Sequence, residues 1–255
     1  MFLSRYSHGR WIVAIALVFF VFFLGYLSAP YLSGTQQDPY RQVALSSEMH
    51  PLRNTLVAID SAGKGVVADL FTRVTPGHGL VLVNINNALA DLSMQESART
   101  ASKVAAKVAH VNPSTIDVTF NIETDANLVS GSSAGSTMAI AVLSALLNTT
   151  MRQDIIMTGE LKDDGSLGQV QGIPEKAEAA RKSNASLFLV PPGGEKIFTR
   201  YEREKACTTL NSQEYCEITY HAQEGHLSDV AGIRIREITT LADAATYYFG
   251  YEAVS

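Results

Sequence analysis

The order of apolar and polar positions divides the chain into three stretches. From Trp11 to Pro30 (WIVAIALVFFVFFLGYLSAP) there is no charged residue, and residues 31 to 50 are polar with no sustained period. From residue 51 onward, short patterns of strand and helix type follow one another. Thr55–Ile59 and Gly65–Val74 are rich in β-branched residues and flank Ser61–Lys64 (SAGK), a pairing that predicts a hairpin. Thr75–Gly79 (TPGHG) is a second turn, and Leu80–Val83 a third strand. Ser93 opens an alanine-rich helix through Val108, and Ser93 with Glu96 has the spacing of a capping box. Ile116–Ile122 alternates apolar with polar residues, the signature of a half-buried strand.

Ala134–Leu147 is small and apolar on nearly every face, which predicts a buried helix. Asp154–Thr158 predicts a short strand, Asp163–Ser166 (DDGS) a turn, and Gly168–Gly172 the return from it. Pro174 sits at a favourable first-turn position of the next helix (EKAEAARKS). Ser186–Val190 reads as a buried strand stopped by Pro191 and Pro192. Residues 193–230 are polar and read as an insertion or flap. Ile233–Ile238 and a helix from Thr239 to Tyr248 close the pattern. These elements make one mixed α/β (α+β) domain over residues 51–252.

The uncharged stretch at 11–30 is about 20 residues long, matching a hydrocarbon core of roughly 30 Å at 1.5 Å per residue. Arg5 and Arg10 precede it, and no Lys or Arg follows until Arg41. The excess of positive charge on the N-terminal side predicts a single-pass signal anchor, with residues 1–10 cytoplasmic, 31–50 a linker and the domain outside the cytoplasm. A cleaved signal peptide is the competing reading. The length of the apolar run and Pro30 directly after Ser28-Ala29 disfavour it.

Net charge is −5 over 255 residues, with no long basic run, so nucleic acid is excluded as an expected partner. Cys207 and Cys216 are the two cysteines of the chain and lie in one segment of the polar insert. In an oxidising compartment they can close a small loop worth about 2–3 kcal/mol; two free thiols are the alternative. No metal is expected there, because the spacing lacks a second ligand pair. His221 and His226 with Glu224 are too irregularly spaced for a metal site, and His78 in its Gly/Pro turn reads as exposed rather than as a base. Asn148 and Asn184 open glycosylation sequons by pattern alone.

Candidate chemistry lies in Gly131–Gly135 (GSSAG), Met157–Glu160 (MTGE) and the Glu175-Lys176 pair. A serine hydroxyl is a poor nucleophile unless a neighbouring base takes its proton. Ser133 is expected at the N-terminus of the buried helix, where the positive helix end favours an oxyanion. Lys176 can serve as the base only if burial strips its charge, and Thr158 can orient its amine by a hydrogen bond. In isolation each is ordinary: GSSAG is a helix-capping loop, Lys176 a solvated residue, Thr158 a strand threonine.

Taken together, Ser130–Gly135, Asp154–Glu160 and Gly168–Ala180 resemble the proteolytic domain of Lon peptidases, as do Met94–Ser97 and Phe188–Pro191. The resemblance covers roughly residues 53–192 and resumes weakly at 233–250. It implies the Lon proteolytic fold and a Ser–Lys dyad, with Ser133 as nucleophile, Lys176 as general base and Thr158 in support. The backbone N–H groups of Ser132 and Ser133 would hold the oxyanion, with no cofactor. The family often has an aspartate and a proline where this chain has Ser130 and Ser132, so the role of that aspartate does not carry over. No Walker A sequence is present. The expectation is an ATP-independent, membrane-anchored serine endopeptidase acting on unfolded or extended polypeptides, with a homo-oligomeric ring implied by the resemblance. A catalytically silent peptide-binding or scaffold relative, or a peptidase limited to self-cleavage, are the alternatives.

Overall fold

A computed structural model describes residues 16–20, 23, 40–41, 45, 51–86, 90–125, 128–129, 131–195, 198–210 and 213–250. The chain divides into two units, residues 1–39 and 40–255. In the first, residues 16–20 and Phe23 are helical and exposed, and the rest of the expected anchor lies outside the described residues. Among the described residues no helix is long and apolar enough to cross a membrane. The second unit starts earlier than the expected boundary at 51. The Arg41 N–H donates to the His110 carbonyl, and Leu45 packs against the core.

Alternating burial builds the main sheet. The predicted hairpin is β1 (Leu52–Asp60) and β2 (Gly65–Pro76), paired antiparallel from Leu52↔Thr72 to Ile59↔Gly65. β3 (Val81–Ile85) and β4 (Ile116–Glu123) are parallel, which requires a crossover, and α1 (Leu92–Val108) supplies it. With β5 (Leu128–Val129) the sheet order is β3-β4-β2-β1-β5. Ala68, Leu70 and Val74 of β2 and Ile116, Val118, Phe120 and Ile122 of β4 turn one face inward. The N-cap of α1 is Asp91, not Ser93: the Asp91 carboxylate accepts from the Met94 N–H at 2.7 Å. Ser93 Oγ instead donates to Asp91 at 2.9 Å and accepts from the Gly131 N–H at 3.2 Å. Asp91 takes the cap two residues upstream, while Ser93 ties that carboxylate to the Gly131 N–H.

α2 (Gly135–Leu147) buries every residue from Gly135 to Leu146, as its all-round apolar sequence demands. It packs with α1 and α5 (Leu241–Phe249) in one core under the main sheet. Truncating a residue such as Leu143 there costs about 2–5 kcal/mol.

A second, parallel sheet has the order β12-β9-β6, from β6 (Ile155–Met157), β9 (Leu187–Val190) and β12 (Arg234–Glu237). The β6-to-β9 crossover carries the small β7 (Glu160–Leu161)/β8 (Leu167–Gly168) pair and α3 (Ile173–Lys182). α3 joins β9, β12 and α4 (Leu227–Ala231) in a second apolar cluster around Ile173, Ala177, Phe188 and Leu227.

The polar insert is a long two-stranded ribbon. β10 (Phe198–Leu210) and β11 (Gln213–Gly225) pair antiparallel, with Cys207 directly opposite Cys216 and joined to it by a disulfide. Its described side chains are exposed, so the ribbon is held by ladder bonds and the crosslink rather than by burial.

Candidate active site

Strand β6 ends in a junction that gathers the site. Thr158, just past the strand, keeps the sheet register through its N–H to the Leu189 carbonyl at 3.0 Å. Gly159 follows: its N–H donates to the Ser133 carbonyl at 3.3 Å, and its carbonyl accepts from the Ser136 N–H at 3.4 Å. Thr137 Oγ1 donates to the Met157 carbonyl at 3.0 Å. These bonds clamp the Ser133 segment to the strand end that bears Thr158.

Ser133 does not sit at the first turn of the α-helix, as its sequence had implied. Ser132–Ala134 form a separate 3-10 turn, closed by the Ala134 N–H to the Gly131 carbonyl at 3.1 Å, and α2 starts after it at Gly135. Gly131 is required by close approach. A Cβ there would lie 2.5 Å from Met94 Cα, so the turn can lie against α1 only without a side chain at that position. Ser132 and Ser133 are half-buried and line a cavity of about 610 Å³.

Lys176 lines the same cavity from the first turn of α3, where its N–H donates to the carbonyl of Gly172 at 3.0 Å. Gly172 takes φ +68°, the left-handed conformation that favours glycine. The lysine is 3% exposed and Thr158 is 0% exposed. Lys176 Nζ donates to Thr158 Oγ1 at 3.4 Å. The amine thus bonds to Thr158, and no hydrogen bond joins it to Ser133. Burial pushes the Lys176 ammonium down from its usual range to about 8, and the nearby Glu175 carboxylate pulls it partly back up. At that value roughly a tenth of the amines are neutral at pH 7, against well under a thousandth for an ordinary lysine.

The cavity joins residues that the sequence reads only as hairpin to others within the segments singled out above. Ile59 and Gly63 reach it from the β1–β2 hairpin, and Gln169–Gly172 and Glu175 from the approach to α3. The hairpin meets α3 at contact distance, since a Cβ on Gly65 would lie 1.9 Å from the Glu175 carbonyl oxygen.

His78 is exposed on the β2–β3 turn, away from the cavity lining. His221 pairs with Glu204 at 3.0 Å on the ribbon. Among the described residues, one group of three metal-ligand types lies close together, Cys207, Glu214 and Cys216; the disulfide ties up both sulfurs.

The family described as Lon protease (S16) C-terminal proteolytic domain matches residues 53–203, more than half of the chain. The Lon protease of Dictyoglomus thermophilum is 31% identical over 156 residues, covering 59% of this chain and 18% of that protein. The Lon protease of Chloroflexus aggregans is 32% identical over 163 residues, 62% of this chain and 19% of that one. Lon protease 2 of Sorangium cellulosum is 36% identical over 132 residues, 48% of this chain and 16% of that one. The chain therefore spans less than a fifth of the length of these curated relatives.

Proposed function

The chain belongs to the Lon protease (S16) family through its proteolytic domain, and from that membership we propose that it is a serine endopeptidase in which Lys176 activates Ser133. The observation that carries this reading is the buried Lys176 amine, held down to about 8 and sharing one cavity with Ser133. A buried lysine with no carboxylate bonded to it costs stability, and service as a base accounts for that cost.

Lys176 takes the Ser133 proton as Oγ adds to the scissile carbonyl. The backbone N–H groups of Ser132 and Ser133, in the 3-10 turn on the cavity wall, stabilise the developing oxyanion. The Lys176 ammonium then gives its proton to the leaving amine. A water deprotonated by the same lysine releases the acyl group from Ser133. Thr158 accepts a hydrogen bond from the ammonium and holds it over the cavity in both steps.

A cavity of about 610 Å³ is of a size to take a few side chains of an extended chain, and these 255 residues contain no Walker A sequence. The proposal therefore takes unfolded or extended polypeptide as substrate, cleaved without nucleotide bound to this chain. It also places the domain outside the cytoplasm behind the uncharged run at 11–30. The Cys207–Cys216 disulfide supports that placement, since such bonds persist in oxidising compartments. Incubating the full chain with unstructured labelled casein tests the proposal. Fragment release without added nucleotide, abolished by Ser133→Ala, is expected. Release that needs ATP contradicts the nucleotide-free part, and release undiminished in Ser133→Ala contradicts the rest.

A further inference from the structure

The cavity has an uneven charge. Among its lining residues the ionisable side chains are Lys176 and Glu175, beside the uncharged amides of Gln169 and Gln171. When Lys176 is neutral, as the base must be, Glu175 leaves one uncompensated negative charge on the wall. Glu175 is exposed, and among the described residues its carboxylate has no ion-pair partner. One of its oxygens, Oε2, lies 3.6 Å from where a Cβ on Gly172 would be, so the carboxylate folds back over the start of α3 at the cavity.

An acidic residue in the first turn of a helix complements the positive helix end, and that accounts for an acid at this position in general terms. It does not account for an acid on the cavity wall one residue from the base. Fixed negative charge beside the reacting serine also raises the ammonium form of Lys176, which works against the base. The carboxylate, exposed and without an ion pair among the described residues, is open to a cation entering the cavity.

We infer that Glu175 forms a cation-accepting subsite, so that the enzyme prefers polypeptide segments with Lys or Arg near the scissile bond and disfavours those with Asp or Glu. The inference takes its substrate class from the peptidase reading, but the subsite itself does not require turnover. Lysine and arginine side chains donate hydrogen bonds to a carboxylate across the cavity, and arginine can do so in bidentate form. An acidic side chain meets like charge. At the partly solvated wall, one such contact corresponds to a preference of roughly fivefold or more, compressed at high salt.

The test uses the full chain carrying Ser133→Ala, which binds without cutting, and a set of labelled extended peptides differing at one position as Lys, norleucine or Glu. Fluorescence anisotropy at low salt should rank them Lys, norleucine, Glu. The Lys-to-Glu affinity ratio should fall towards one in the added Glu175→Gln variant and invert in Glu175→Lys. A ratio that persists in Glu175→Gln, a preference for Glu, or no binding of any peptide overturns the subsite. Cleavage of the same peptides by the wild-type chain is measured in parallel. Charge-selective binding without cleavage sinks the peptidase reading and leaves the subsite standing; cleavage indifferent to charge does the reverse.

Discussion

Lys176 Nζ lies 3.4 Å from Thr158 Oγ1, and both residues are buried to within 3% of full exclusion from solvent. The two come from opposite ends of one crossover: Thr158 follows β6, Lys176 lies on α3, and β9 closes the unit beside β6. Among the described residues the threonine hydroxyl is the amine's one side-chain hydrogen-bond partner, and it brings no charge. Had a carboxylate stood at 158, the ammonium would be stabilised and the base lost.

The rate of peptide cleavage should therefore follow deprotonation of Lys176. Because burial lowers this group to about 8, kcat/KM should rise with pH through that region and level off above it, rather than climbing towards the range of a free lysine. The Glu175 charge raises the group, so Glu175→Gln should move the rise to lower pH. A pH–rate profile for each checks both directions; a shift to higher pH in Glu175→Gln would contradict the assignment of the base.

The same lowering makes Lys176 a stability liability. The unfolded chain binds this proton up to about 10.5 and the folded chain only up to about 8. Below 8 both forms are protonated and the native state bears the whole cost of a buried ammonium, of the order of 3 kcal/mol. Between 8 and 10.5 the native amine is already neutral, and the penalty fades as pH rises. Lys176→Met should accordingly raise Tm at pH 7, with an advantage that shrinks towards pH 10.5. Thermal melts across that range read it, and a Met variant less stable at pH 7 would be the wrong sign.

Thr158→Val should slow turnover about fivefold, the scale of one hydrogen bond of about 1 kcal/mol. Thr158→Ser, which keeps the hydroxyl, should recover most of the rate. A structural role alone would be read in Tm and would not separate the two variants in kcat, so measuring both quantities on both variants distinguishes orientation of the amine from packing.

Gly65→Ala acts from a distance. Its Cβ would enter the space of the Glu175 carbonyl, 1.9 Å away, and that oxygen is backbone and cannot swing aside. The hairpin and α3 must part, at a cost of roughly 1–3 kcal/mol, and Lys176 moves with α3. Lower Tm together with lost activity is expected, measured by calorimetry and peptide hydrolysis on the same preparation. Full activity would show that the hairpin wall does not position the lysine.

Much of this fold is legible in the pattern of residues. The β-branched runs on either side of SAGK gave β1 and β2, the alternation at Ile116–Ile122 gave β4, and the uniformly apolar segment gave α2. What the pattern cannot carry is burial decided by tertiary contact. The segment EKAEAARK looks solvated, and Lys176 is buried because α3 is pressed against the β1–β2 hairpin at Gly65, far away in sequence. Glu175 reads as an ordinary helix-start acid until the cavity is seen around it. The cap of α1 lies at Asp91 rather than at the expected Ser93, because the capping-box spacing at Ser93 and Glu96 does not weigh an acceptor two residues upstream. The ribbon at 198–225 is hidden for a different reason: none of its described side chains is buried, so no apolar period marks the strands.

In the proposed mechanism a buried Lys176, in its neutral form, makes Ser133 a nucleophile. The most direct measurement is the rate at which a serine-directed peptidyl phosphonate modifies the full chain, with the modified residue mapped by mass spectrometry. The predicted result is a single adduct on Ser133, formed faster as pH rises through about 8 and slowed roughly a hundredfold or more in Lys176→Met. An adduct on another residue, or an equal rate in Lys176→Met, would contradict it.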